Sequence, residues 1–170
     1  MFSPGELVVY GGEGVCRVEN IGPAEIAGAD KRKLYYTLRP LYRTGRVITP
    51  VDTRVLMRPV LTREEAQALI AALPELEPEG GPAGNPRLLK DHYQKVVSSY
   101  DCAAMIRLIR ALALRRRHAL DHGKKPSQMD ERYLKQAEDR LYGELAAALM
   151  TGRDEVAGHI RLQYPQWPEM

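Results

Sequence analysis

The sequence predicts an α+β protein in which a small β domain is followed by an all-helical domain. Two observations carry this prediction. Up to residue 60, β-branched and aromatic residues recur in short runs that are divided by glycines. From residue 87 onward, apolar residues recur at helical spacing instead. A stretch rich in proline, glycine and glutamate separates the two patterns.

The N-terminal β domain is assigned to residues 1–60. Its clearest strand-like runs are residues 6–10, 15–21, 34–38 and 46–49. Four or five strands in so short a length favour a small barrel. Gly11, Gly12 and Gly14 are not interpreted as a phosphate-binding loop, because no Gly-Lys-Ser/Thr follows and the next segment has strand character.

Residues 61–74 are predicted to form a connecting helix, and residues 75–86 the linker between the domains. Thr62 and Glu65 have the spacing of a capping box, and an apolar stripe follows them. The linker carries proline and glycine at intervals that no regular element tolerates.

The helical domain is assigned to residues 87–165, and residues 166–170 are predicted to be a frayed tail. Four helices are expected, over residues 87–99, 101–123, 129–150 and 154–163. Ser99 or Asp101 is expected to cap the second of these helices, and Ser127 the third, because a side-chain oxygen at that position accepts an orphan N–H. Short helices joined by tight turns can share one core.

Positive charge is concentrated in one segment. The chain has 170 residues and a formal net charge of +3, but residues 87–125 carry ten Lys and Arg against three Asp, a net of seven. Clustered cations favour a polyanion, most simply nucleic acid, because binding releases the counterions of the phosphates. The 101–123 helix places Arg107, Arg110 and Arg117 on a basic face opposite its apolar face.

Composition argues against several other classes of protein. With 44% hydrophobic and 28% charged residues, we expect a folded cytoplasmic chain without a membrane segment or a secretory signal. Cys16 and Cys102 are expected to be reduced, buried thiols. The four histidines lack partners at ligand spacing, so neither a metal nor a cofactor is expected, and no acid, base or nucleophile constellation suggests an enzyme.

Several phrases, in this order and spacing, resemble the CarD/CdnL family of bacterial transcription regulators. They are FSPGELVVYGGEGVCRVENIG at 2–22, ITPVDT at 48–53, MRPVLTREEAQALIAAL at 57–73 and YGELAAAL at 142–149. The resemblance implies a Tudor-like barrel that binds the β subunit of RNA polymerase. It also implies a helical domain that contacts promoter DNA, largely without sequence specificity, and stabilises the open complex. Nucleoid association would follow through the polymerase.

The resemblance and the charge pattern together give candidate site residues in both domains. The family's basic polymerase-facing positions fall near Ala24 and Ile48 here, so Arg43 and Arg46 of the adjacent loop are taken in their place. Polymerase contacts are expected from Tyr36, Arg43, Arg46, Ile48 and Pro50. DNA contacts are expected from Pro86, Arg87, Lys90, Arg115, Arg116, Arg117, Lys124, Lys125 and Arg132. Family members use a tryptophan after an asparagine as a wedge at melted DNA. Here Pro86 follows the asparagine, so the wedge is either absent, replaced by Pro86 or Leu88, or not used.

Two alternatives stay open at this point. The Arg115–Arg117 run has the composition of a solvated helix end that favours its own dipole. In addition, a protein–protein adaptor whose basic helical face binds an acidic protein would have the same charge pattern. We expect a monomer, and the short hinge also permits a domain-swapped dimer.

Overall fold

The computed structural model describes residues 1–168 and divides the chain into two compact units, Met1–Val60 and Leu61–Met170. The division falls directly after the last strand. It differs from the predicted one, because residues 61–74 and 75–86 lie inside the helical unit rather than between two domains. Ala66, Ile70 and Leu73 are the reason, since their side chains are buried in the core of that unit.

Five strands form an antiparallel sheet in the first unit. They are β1 Leu7–Tyr10, β2 Gly14–Gly22, β3 Tyr35–Pro40, β4 Val47–Pro50 and β5 Met57–Pro59. Their order in the sheet is β4-β3-β2-β1-β5. The sheet is open, because the edge strands β4 and β5 do not pair with each other. The predicted Tudor-like barrel is therefore not confirmed. The predicted α+β class is confirmed, because helices follow this sheet along the chain.

The core of the sheet forms where strand alternation turns apolar side chains to one face. Val8 pairs in register with Cys16, and Val18 with Leu38, and all four side chains are fully buried. The β1–β2 hairpin turns through Gly12, whose φ of 85° favours glycine. These elements bring the β1–β2 turn, the β3–β4 loop and the start of β5 to one end of the sheet.

Five α-helices make up most of the described part of the second unit. They are α1 Arg63–Ala71, α2 Pro86–Ser99, α3 Cys102–Asp121, α4 Gln128–Leu149 and α5 Val156–Gln163. A side-chain oxygen caps the first four at Thr62, Asn85, Asp101 and Ser127 respectively. The capping box of Thr62 and Glu65 is confirmed, and so is the Ser127 cap.

The tail prediction is wrong for Trp167. Its side chain is only 1% exposed, lies in the helical core and donates from Nε1 to the Tyr142 hydroxyl across 2.9 Å. Burial of a large indole with its polar N–H satisfied is strongly favourable, which holds the end of the chain against α4. Residues 169–170 of the predicted tail lie outside the described residues.

The segment predicted as a linker is held against α3. Glu79 N–H donates to the Arg107 carbonyl across 3.1 Å, and the Arg107 guanidinium donates to the Glu77 carbonyl across 3.3 Å. Arg110 lies beside them and is only 7% exposed, although helical periodicity placed it on the basic face of α3. Its guanidinium is buried because backbone carbonyls accept its N–H groups.

Candidate functional site

The β3–β4 loop carries Arg43 and Arg46 at one end of the sheet, and Arg39 lies near the end of β3. Arg43 forms an ion pair with Glu13 of the β1–β2 turn. Arg46 and Arg39 both approach Glu19 of β2, at 3.5 and 3.8 Å. The loop encloses an open depression of about 550 Å³. Arg43 and Arg46, predicted as polymerase contacts, are thus brought together at one exposed surface.

The other predicted polymerase contacts are placed differently. Ile48 is 39% exposed on β4, which is an edge of the sheet, and Pro50 of the same strand is half-buried. Tyr36 is only 2% exposed, and its hydroxyl accepts the Phe2 N–H across 3.0 Å. The assignment of Tyr36 as a contact residue is corrected on this ground, because its side chain packs in the sheet core and presents nothing to a partner.

Exposed apolar side chains at the arginine-bearing end of the sheet were not predicted from the sequence. Val55 and Leu56 are 43% and 40% exposed just before β5, and the Gly11 N–H fixes this stretch by donating to the Leu56 carbonyl across 2.8 Å. Leu41 is exposed in the β3–β4 loop. Apolar residues within a β domain are ordinarily assigned to its core, so no signal in the sequence singled them out.

A buried carboxylate joins the helices in the second unit. Asp130, in the first turn of α4, is 6% exposed. Its Oδ1 accepts the Tyr93 hydroxyl of α2 across 2.8 Å, and its Oδ2 lies 2.9 Å from Nε of Arg115 on α3. Asp130 therefore gathers the middle of α2, the second half of α3 and the start of α4, the elements that carry most of the predicted DNA contacts.

Each arginine of the Arg115–Arg117 run is matched by one carboxylate. Besides the Arg115–Asp130 pair, Arg116 Nε lies 3.3 Å from Glu131, and Arg117 Nε lies 3.8 Å from Asp121. All three arginine side chains keep between 41% and 59% of their surface exposed. The run is accordingly available to solvent, but it is partly neutralised within the chain.

Four other predicted DNA contacts are cations without such partners. Arg87 and Lys90 are exposed in the first turns of α2, and Lys124 and Lys125 are exposed in the loop between α3 and α4. None of these four side chains has an ion pair with any of residues 1–168. Arg132, also exposed, sets its guanidinium 5.4 Å from the centre of the Tyr133 ring. Uncompensated positive charge therefore lies on α2 and the α3–α4 loop.

The start of α2 presents an apolar tip beside these cations. Asn85 caps the helix by accepting the N–H groups of Arg87 and Leu88 at 3.0 and 3.4 Å, and Pro86 occupies the first helical position. Pro86 is exposed, and Leu88 is 52% exposed. Both residues offered as replacements for the wedge tryptophan thus reach the surface.

The cysteine prediction is confirmed, since Cys16 and Cys102 are both free and buried. Within residues 1–168, no group of three or more His, Cys, Asp and Glu side chains is arranged to hold a metal ion. Over the same part of the chain, no helix combines the length and the apolar character needed to span a bilayer.

Comparison with known families assigns the first unit. The family model described as the CarD-like/TRCF RID domain matches residues 2–61, which cover the five strands. This family is an interaction domain for the β subunit of RNA polymerase. No curated protein matches the chain. The resemblance drawn from the sequence phrases is thereby confirmed over residues 2–61, which form a CarD-like domain.

Proposed function

We propose that the chain is a transcription regulator that binds the RNA polymerase β subunit through its sheet domain and promoter DNA through its helical domain. It stabilises the open complex by holding both at once. The observation that carries the proposal is the family match over residues 2–61. A weak protein contact and a weak phosphate contact reinforce each other when one chain makes both, since the second contact becomes intramolecular.

Two features of the sheet domain support a protein dock. The edge strand β4 has one side of its backbone unpaired by any other described strand, and Ile48 is exposed beside it. Arg43 and Arg46 stand at the end where β4 begins, next to exposed apolar side chains. An apolar centre with an arginine rim is the composition that protein interfaces favour.

Charge and exposure in the helical domain support a DNA contact. Arg87, Lys90, Lys124 and Lys125 are exposed and lack intramolecular ion pairs within the described chain, so phosphates meet no competing carboxylate there. Such contacts position a protein on DNA without reading sequence. Leu88 and Pro86 add an exposed apolar tip, and apolar side chains of this kind can insert between bases at weakened steps.

Binding of the full chain to a purified β-lobe fragment of RNA polymerase tests the dock. We expect saturable binding that weakens on the order of tenfold when Arg43 and Arg46 are both replaced by alanine. Arg32→Ala is the matched control, because Arg32 is also an exposed arginine in an ion pair, on the β2–β3 loop. Weaker binding in the control alone would move the contact to that loop, and no binding by the folded wild type would contradict the dock.

The lifetime of the open promoter complex tests the second half of the proposal. The wild type should lengthen it, and the quadruple alanine variant at Arg87, Lys90, Lys124 and Lys125 should not, although it still binds the β lobe. The log–log salt slope of DNA binding should fall by up to about 0.9 for each phosphate that the variant no longer binds. If the variant keeps the wild-type salt slope and the wild-type open-complex lifetime, and the basic surface of the chain binds an acidic protein, the adaptor function is correct instead.

A further inference from the structure

We propose that Glu131 and Asp121 regulate the basic surface by holding Arg116 and Arg117 in ion pairs that DNA phosphates must displace, whereas Asp130 fixes Arg115 permanently. The inference rests on the proposed DNA contact and specifies how that contact is controlled. Two of the three neighbouring arginines then exchange partners on binding, and one does not.

The three ion pairs form a graded series. Asp130 has 8% of its side chain exposed, Glu131 38% and Asp121 67%, while the distances to the paired arginines lengthen in the same order, from 2.9 to 3.3 to 3.8 Å. Solvent screens a charge pair more strongly when its carboxylate is more exposed, and the attraction also falls with distance, so it weakens along the series. Arg115 is held tightly, Arg116 less tightly and Arg117 least.

The middle pair lacks a hydrogen bond. Arg116 Nε and Glu131 Oε1 are both shielded from solvent, yet neither atom has a hydrogen-bond partner among the described residues. Their attraction is therefore Coulombic only. A phosphate oxygen that approaches Arg116 with good geometry gains a charge-assisted hydrogen bond that Glu131 does not supply, so exchange from carboxylate to phosphate is favoured.

Asp121 lies where a carboxylate does not stabilise its helix. It is the last residue of α3, and it follows Arg117 by four residues. The C-terminus of a helix is the negative end of its dipole, and an ion pair with the acid on the C-terminal side is the less favourable orientation. Helix stability therefore does not explain why an acidic residue stands at the end of α3, whereas neutralisation of Arg117 by Asp121 does.

Asp130 behaves in the opposite way. Its other carboxylate oxygen accepts the buried Tyr93 hydroxyl, and its own backbone N–H donates to Ser127 across 3.3 Å. Moving Asp130 away from Arg115 would break these hydrogen bonds as well. Arg115 consequently stays in place when DNA binds, and only its outward N–H groups are free to contact a phosphate.

Competition of this kind predicts that removing the carboxylates strengthens DNA binding. Exposed ion pairs are weak, so each released arginine should tighten binding by about two- to fivefold at low salt. The gain should shrink as salt rises, because salt screens the carboxylates and the phosphates alike. It should also require the arginines themselves.

Fluorescence anisotropy with a labelled mixed-sequence duplex tests the inference on the full chain. Asp121→Asn, Glu131→Gln and the double variant are compared with Asp139→Asn. The last is the matched control, because it removes the same charge and releases another i,i+4 ion pair, Lys135–Asp139, at 3.5 Å. The double variant should bind the duplex most tightly, and the Asp139→Asn control should change the affinity by less than about twofold.

A second comparison ties the gain to the arginines. In a background with Arg116 and Arg117 replaced by alanine, Asp121→Asn and Glu131→Gln should no longer strengthen binding. Equal gains in the control, or gains that persist without the arginines, would overturn the inference and leave net charge as the cause. Wild-type binding that none of the carboxylate changes alters would overturn the inference alone. Absence of DNA binding by the wild type and every variant would overturn the proposed function with it.

Discussion

Tyr93 and Asp130 form a buried hydrogen bond that joins α2 to the first turn of α4, with the hydroxyl oxygen 2.8 Å from Oδ1. Tyr93 is fully buried, and burial raises the pKa of its phenol, an effect that the hydrogen bond to Asp130 strengthens. The phenol is thus a proton donor throughout the ordinary pH range. Its single acceptor also holds Arg115, so one carboxylate serves both the core and the basic surface.

We expect Asp130→Ala to destabilise the helical domain by about 2 kcal/mol, because it leaves a buried hydroxyl without its acceptor. Tyr93→Phe, which removes the donor instead, should cost about 1 kcal/mol. Denaturant unfolding of both variants and of the double variant gives the coupling between them. A double variant whose cost equals the sum of the two single costs would contradict the bond as an energetic unit.

Arg110 is expected to act as a structural residue rather than as a DNA contact. Its guanidinium donates to the carbonyls of Leu73 and Leu76 at 3.0 and 2.6 Å and to the Tyr164 hydroxyl at 3.0 Å. Arg110→Met would leave these buried acceptors without their donor, at a cost of about 2 kcal/mol in the free energy of unfolding. The salt slope of DNA binding should be unchanged. Arg110→Lys keeps the charge but not the forked geometry, so the stability of this variant should lie between that of the wild type and that of Arg110→Met.

The strands and helices could largely be predicted from the sequence because local patterns determine them. Runs of β-branched residues located β1 to β4 to within two residues, whereas β5 has only three residues, too few for alternation to be visible. Barrel closure depends on pairing between edge strands that are distant in sequence, and no local pattern carries that information. The N-caps at Thr62, Asp101 and Ser127 were visible because a cap acts over three residues.

The site was predicted less completely, since partners distant in the chain decide which charges are free. Arg110 is buried because carbonyls more than 30 residues earlier accept its N–H groups. Asp130 and Glu131, which neutralise Arg115 and Arg116, lie on the next helix, and only helix packing reveals the pairing. The Arg117–Asp121 pair is readable from its i,i+4 spacing, but its significance appears only beside the other two.

The only tryptophan of the sequence, Trp167, should report the state of the chain end. Its emission should be blue-shifted in the native protein and shift to the red on unfolding, because its indole is buried. Burial raises the pKa of the Tyr142 phenol to about 12, so this hydroxyl, which accepts the indole N–H, should stay neutral at mildly alkaline pH. Trp167→Ala should cost about 3 kcal/mol of stability. A native spectrum typical of a solvated indole would contradict the packing.

Both thiols should resist modification in the native state. Burial raises the pKa of Cys16 to about 11, so little thiolate exists at mildly alkaline pH, and Cys102 is only 7% exposed. A colorimetric thiol reagent should therefore find almost no reactive thiol in the native protein, and both thiols in denaturant without reductant. Fewer reactive thiols than that in denaturant would indicate a disulfide and contradict the reduced state.

Glu138 on α4 should make the helical domain less stable as pH rises. Burial raises the pKa of its carboxyl, the negative charge of Asp139 raises it further, and Arg116 and Lys135 oppose the change. A group whose pKa is higher in the folded state binds its proton more tightly there. Its contribution to stability is therefore complete below the pKa of the unfolded chain and is lost as pH rises through the folded pKa.

At neutral pH, Glu138→Gln should consequently raise the Tm, because glutamine removes the charge that burial disfavours while keeping the shape. The gain should vanish when pH falls below about 4, where the wild-type carboxyl is itself protonated. Thermal unfolding across this pH range is the measurement, and Glu77→Gln, at an exposed glutamate, is the control. A gain in Tm that stays constant at all pH values would mean that packing, rather than ionisation of Glu138, is what the substitution changed.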